Sequence, residues 1–194
     1  MQKKKILAIC DHPLSTSGVG VQARYLLMGL VDTGKYSIRC LGTAIKHDDY
    51  NTIHLNDDFI IKPIDGFGSP EFIRLTIATE QPDALFIFTD PRFFQHIFNL
   101  EDEIHQICPI VYWHVWDNGP YPKYNEWIYR SVDLFNCHSY LTYELIASRF
   151  PEKTNFVPHA VPHNIFRPLP IQDCVKFKKQ LLKQNSDNFT IIVG

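Results

Sequence analysis

Five short apolar runs in this chain each end on side chains that can do chemistry. Lys5–Cys10 is followed by Asp11 and His12, and Ala84–Phe88 by Thr89 and Asp90. Ile110–Trp113 leads to His114 and Asp117, Leu134–Cys137 to His138 and Ser139, and Phe156–Val157 to His159. Imidazole and carboxylate groups accept, donate and relay protons. A single histidine after a strand is most often structural. Several polar groups converging beside apolar strands point instead to a ligand crevice, because open α/β sheets bind ligands outside the carboxyl ends of their strands.

Ser15-Thr-Ser-Gly-Val-Gly20 sits between the first run and a helical pattern. Small residues let a ligand approach the backbone, and free amides at a helix start favour phosphate. Ser17, Gly18, Val19 and Gly20 are therefore candidate binding residues, with Gly18 expected to need an open φ and to leave room for a ligand. The loop matches neither the dinucleotide glycine fingerprint nor the G-x-x-x-x-G-K phosphate loop. Trp116 and Tyr121 flank Asp117-Asn-Gly-Pro120, and their faces suit a sugar ring. Ser139 reads as a helix cap as well as a candidate contact. His159 and His163 have helical i, i+4 spacing, but Pro158 and Pro162 exclude a helix, so no metal site is expected.

These groups need a scaffold. The apolar runs 5–10, 84–88 and 110–113 suit strands buried in the sheet, and 36–41 and the shorter 134–137 read as further strands. Between them lie helical patterns at 21–31, 70–80, 93–98, 124–131 and 140–150. Residues 53–64 hold two short extended pieces, a hairpin or an irregular insertion. The alternation predicts a doubly wound, Rossmann-like parallel α/β sheet. Residues 156–170 read as a short buried strand, a polar turn, an aromatic anchor at Phe166 and a proline-punctuated exit. A lysine-rich helix and an apolar strand, Phe189–Gly194, follow. The expected organisation is one domain over 1–170, with 171–194 a linker helix and the first strand of a second domain.

The 194 residues carry 19 Lys+Arg and 21 Asp+Glu, a net charge of -2, so nucleic acid is not an expected partner. Lys3-Lys4-Lys5 reads as a solvated strand entry. Neither a secretory leader nor a membrane span is visible, and five scattered cysteines read as free thiols, so a cytoplasmic location is expected.

Three segments carry a family resemblance. Val157-Pro-His-Ala-Val161 with Phe166-Arg-Pro168 is similar to the domain junction of GT-B retaining glycosyltransferases of the family-4 type; Ala160 stands for the usual Gly and Pro162 for the usual Asp. Gly18-Val19-Gly20 resembles that family's glycine loop, with Ser17 in place of its first Gly. His114 matches a histidine beside the donor sugar, with Asp117 two residues later than the common adjacent Asp. Ser139 and Glu144 resemble the segment opening the next helix. The resemblance implies a two-domain GT-B architecture of which this chain is the first, acceptor-side domain. It implies hexosyl-type transfer from a nucleotide diphosphate sugar to an acceptor hydroxyl with retention. His114 would act at the anomeric centre, and Ser17, Gly18, Val19, Gly20, Asp90, Trp116, Asp117, Tyr121, Ser139 and His159 would line the substrates. No cofactor beyond the nucleotide-sugar co-substrate is implied. A missing C-terminal domain would be the partner, and a lipid acceptor would bring peripheral membrane association with it. The competing reading is a non-catalytic nucleotide- or sugar-binding module.

Overall fold

The computed structural model describes residues 2–183 together with Asp187 and Phe189. The chain divides into two compact units, Met1–His159 and Ala160–Gly194, so the expected boundary after Pro170 falls inside the second.

The first unit is built on one eight-stranded sheet. Its strands are β1 (Lys4–Asp11), β2 (Tyr36–Thr43), β3 (Ile53–Asn56), β4 (Phe59–Pro63), β5 (Ala84–Thr89), β6 (Ile110–His114), β7 (Leu134–Cys137) and β8 (Thr154–Phe156). Their order is β3-β4-β2-β1-β5-β6-β7-β8. All neighbours pair in parallel except β3, which folds back on β4 as an antiparallel hairpin at the sheet edge. The sheet reverses direction of growth between β1 and β5, and this is the topological switch point.

The strand sequences explain the layering. In β1, Leu7 and Ile9 enter one core, while Ala8 and Cys10 enter the core on the opposite face. A strand covered on both sides has no polar face, which is why it reads as an unbroken apolar run. One core is completed by Ile73 and Ile77 of α2 (Pro70–Glu80), Ile97 and Phe98 of α3 (Gln95–Phe98) and Ile104 of α4 (Glu101–His105). Ile128 and Tyr129 of α5 (Glu126–Ser131) and Ile146 of α6 (Tyr140–Ala147) extend it. The other is closed by Ala23, Leu27 and Val31 of α1 (Gly18–Asp32). Each fully buried Leu or Ile contributes about 1.5–3 kcal/mol relative to exposure.

Several expectations need correction. The first helix begins at Gly18, three residues before the apolar periodicity starts, because the Ser17 side chain accepts from the Gly20 amide and caps it. Short α4 had no separate sequence signal. The last strand is Thr154–Phe156, not 156–157. It pairs only with β7, so it is an edge, and Phe156 is exposed there against Tyr140 and Tyr143 rather than buried. Phe166, expected as an anchor, is exposed as well. In the second unit α7 (Ile171–Leu182) is the expected lysine-rich helix. The expected strand Phe189–Gly194 lies, apart from Phe189, outside the described residues.

All five cysteines are free. The Lys3-Lys4-Lys5 run is consumed by ion pairs to Asp58, Asp83 and Glu80, in keeping with a strand entry and not a binding patch. Among the described residues no helix is long and apolar enough to cross a membrane, and no cluster of three or more His, Cys, Asp or Glu could hold a metal ion.

Candidate functional site

Strand register gathers the chemistry-bearing residues along one edge. Asp11 aligns with Thr43, Thr89 with His114, and His114 with Cys137, while Cys10 pairs with Phe88. The ends of β2, β1, β5, β6 and β7 therefore form a single row, and the switch point lies between Asp11 and Thr89. Thr89 itself takes a φ of 154°, strained for a β-branched residue, with its carbonyl held by the buried Tyr112 hydroxyl at 2.7 Å.

His114 is the most enclosed member of the row, with no exposed surface. Its Nε2 lies 3.0 Å from the Tyr129 hydroxyl, and the Asn125 amide nitrogen donates to that hydroxyl at 3.3 Å. Its Nδ1 is buried with no hydrogen-bond partner among the described residues. Burial, and then the neighbouring His138, push its pKa down to about 3, so the ring is neutral at ordinary pH. Trp116 stacks over it at 6.4 Å and 28°.

His138 and His159 form a second layer. The two rings are 5.0 Å apart, and His159 also meets Trp113 edge-on at 5.0 Å and Phe88 at 5.6 Å. His138 Nδ1 lies 3.0 Å from the His114 carbonyl. The His159 ring is held below the usual histidine pKa by desolvation and by His138. Sequence reasoning named His138 only as a strand end; its position beside both His114 and His159 depends on the β6–β7 pairing, which no local signal carries.

At the switch point the helix start differs from expectation. Ser17 Oγ donates to Asp11 Oδ2 at 2.8 Å while accepting from Gly20 N at 2.9 Å. A carboxylate of the protein itself thus stands beside the first turn of α1, where a phosphate was expected. Desolvation raises the Asp11 pKa. Gly18 has no unusual φ, and a Cβ there meets nothing within 4 Å, so the open φ expected of it is not needed. The close approach belongs to Gly20, whose Cβ would fall 2.3 Å from Ser15 Oγ and 2.5 Å from the His12 carbonyl. Val19 packs against the α1-side core.

The remaining candidates spread along the same edge. Asp90 is engaged by its neighbour Arg92, with Nε at 3.0 Å from Oδ1 and Nη2 at 3.0 Å from Oδ2. Asp117 is exposed. Trp116 Nε1 donates to the Asn118 carbonyl at 2.6 Å. Tyr121 lies 5.9 Å from Tyr129 and 5.3 Å from the Arg149 guanidinium, with its hydroxyl buried and unpartnered among the described residues. Ser139 caps α6, accepting from Thr142 N at 3.1 Å. Sequence reasoning did not single out Asn125, Tyr129 or Arg92; the i, i+4 spacing of Asn125 and Tyr129 was a usable signal for the first two.

No family model matches the chain, and the comparison with curated proteins found no match. Solved structures do match in fold. One, reported as "Trehalose-6-phosphate from E. coli bound with UDP-2-fluoro glucose", superimposes with TM-score 0.57 at 8% identity, over 92% of this chain and 55% of that chain. A putative UDP-N-acetylglucosamine 2-epimerase from Listeria monocytogenes gives TM-score 0.50 at 15% identity, over 79% of this chain and 44% of that chain. The chain spans about half the length of the structures it matches. The fold is a mixed α/β, Rossmann-like domain of the kind found in GT-B folds.

Proposed function

We propose that this chain is the acceptor-side, N-terminal domain of a retaining GT-B glycosyltransferase of the family-4 type, moving a sugar from a nucleotide diphosphate sugar to an acceptor hydroxyl. The observation that carries this is His114, buried and neutral at the end of β6 with an Nδ1 unpartnered among the described residues, in the row of strand ends beside the switch point. The fold likeness supports the same reading, since both solved relatives are named for UDP-sugar ligands or substrates. His114 is the residue that meets the donor sugar. Trp116, Asp117, Tyr121 and His159 border the acceptor side, and Ser17 to Gly20, Asp90 and Ser139 shape the edge between them. A second domain after about residue 170 would bind most of the nucleotide, and no metal or other cofactor takes part.

The test is titration of the full-length protein with a panel of UDP-, ADP- and GDP-sugars, followed by assignment of the product anomer by NMR. Binding of one member with transfer and retained configuration is expected. His114→Ala should then lower kcat by ~10²-fold, the size of a lost positioned hydrogen bond. Absence of binding across the panel overturns the reading. Binding without transfer leaves the non-catalytic module, and inversion removes the family-4 assignment.

A further inference from the structure

We propose that Asn125 and Tyr129 hold His114 as the neutral tautomer protonated on Nδ1, and that this buried N–H is the donor that meets an oxygen of the bound ligand.

The direction of the chain follows from donor counting. The Asn125 amide nitrogen can only donate, so at 3.3 Å it uses a lone pair of the Tyr129 hydroxyl. The single Tyr129 proton is then free for His114 Nε2, 3.0 Å away. An Nε2 that accepts must be bare, and a neutral imidazole must carry its proton on the other nitrogen. Burial keeps the ring from taking a second proton. Tyr129 holds its own proton firmly, because desolvation raises its pKa. All three side chains are buried, His114 and Tyr129 completely and Asn125 at 3% exposure, so water does not compete for these bonds.

The result is an N–H donor without a partner among the described residues in a buried setting, a state that costs about 1–3 kcal/mol if nothing answers it. Its chemistry selects an oxygen acceptor, a sugar hydroxyl or a phosphoryl oxygen, and rejects a metal ion or a cationic group. Asn125 and Tyr129 are positioning residues; only His114 touches the ligand. The ligand half of this inference rests on the function proposed above. Ligand contact requires the cover over the ring to shift, and half-buried Trp116, stacked over it, is part of that cover.

The experiment is a long-range proton–nitrogen correlation spectrum of the 15N-labelled full-length protein. His114 is expected to show a protonated-type Nδ1 and a bare-type Nε2. A bare Nδ1 overturns the proposal. Tyr129→Phe should abolish the preference while amide spectra report a folded chain. Because that variant loses a buried hydroxyl and could unfold, Asn125→Asp is the second arm: its carboxylate accepts the Tyr129 proton, so Nε2 should become the protonated nitrogen. An unchanged tautomer in folded Asn125→Asp also overturns the proposal. UDP-glucose, UDP and glucose are then added separately. A shift of the Nδ1–H with UDP-glucose but not UDP assigns a sugar oxygen, and a shift with both assigns a phosphoryl oxygen. Calorimetric binding of UDP-glucose without a His114 shift overturns the ligand half alone. Absence of binding to any nucleotide sugar overturns the proposed function, while the spectrum of the free protein still decides the tautomer.

Discussion

At the scale of single residues, the site is governed by desolvation. His114 is neutral because burial penalises its charged form, not because a cation faces it. The stability consequence has a definite sign. The folded-state pKa, about 3, lies below the ordinary value of 6.5, so the unfolded chain binds protons that the folded one refuses. Stability from this group is complete above about pH 6.5 and is lost as pH falls toward 3, by up to ~1.4 kcal/mol per pH unit. His12 and His159, also lowered, add to the upper part of that window. Urea midpoints between pH 7.5 and 4.5 should show a flatter slope for His114→Gln than for the natural sequence; coincident slopes would contradict the buried neutral ring. The two glycines of the first helical turn should also separate. Gly18→Ala meets open space in a helical conformation and should be neutral or stabilise by ~0.5–1 kcal/mol. Gly20→Ala drives a Cβ into the His12 carbonyl, which cannot yield as a side chain can, and should cost ~1–3 kcal/mol. Thermal melts of the two variants in parallel decide it.

At the scale of elements, α1 shows how a cap can serve two ends at once. Ser17 accepts from the Gly20 amide and donates to Asp11, tying the end of β1 to the start of the helix. Ser17→Ala should therefore cost ~1–2 kcal/mol, the upper part of the usual cap range. A loss no larger than that of a surface substitution, read from the denaturation midpoint, would mean that the Asp11 contact contributes nothing. The edge strands behave differently. β3 and β8 are short and pair on one side only, so their sequences show weak apolar character, and β8 was displaced by two residues in the sequence reading. A central strand announces itself because both faces are dry; an edge strand does not.

At the scale of the whole molecule, the proposed two-domain reading makes the carboxyl edge of this domain half of a cleft. The chain spans 55% of the E. coli structure it resembles, and the proposed donor half would lie in the remainder. The 194-residue chain alone should transfer no sugar from any nucleotide sugar, because one domain cannot orient donor and acceptor together. Turnover by this chain in a product assay would refute the two-domain reading.

The sequence by itself determined the layers. Unbroken apolar runs such as Leu7–Cys10 and Leu85–Phe88 mark strands dry on both faces, and turn residues such as Gly34, at a φ of 71°, end the helices between them. That is local information: periodicity and backbone freedom are properties of neighbours along the chain. It also brought His114, Asp90 and His159 to the same predicted edge, since each follows a strand. Only the tertiary structure decided what each of these groups is. His114 and Asp90 look alike as strand-end polar residues. One became a wholly buried neutral ring against Tyr129, and the other an ion-paired carboxylate beside Arg92. The same applies to Gly18 and Gly20, where the positions of Ser15 Oγ and the His12 carbonyl separate an open site from a closed one. The burial of His114 is set by residues far away in sequence, so it exists only once the sheet order β2-β1-β5-β6-β7 has brought those residues together; the partners of Asp90 and Gly20 are near in sequence, but loop geometry that no periodicity carries decides their contacts.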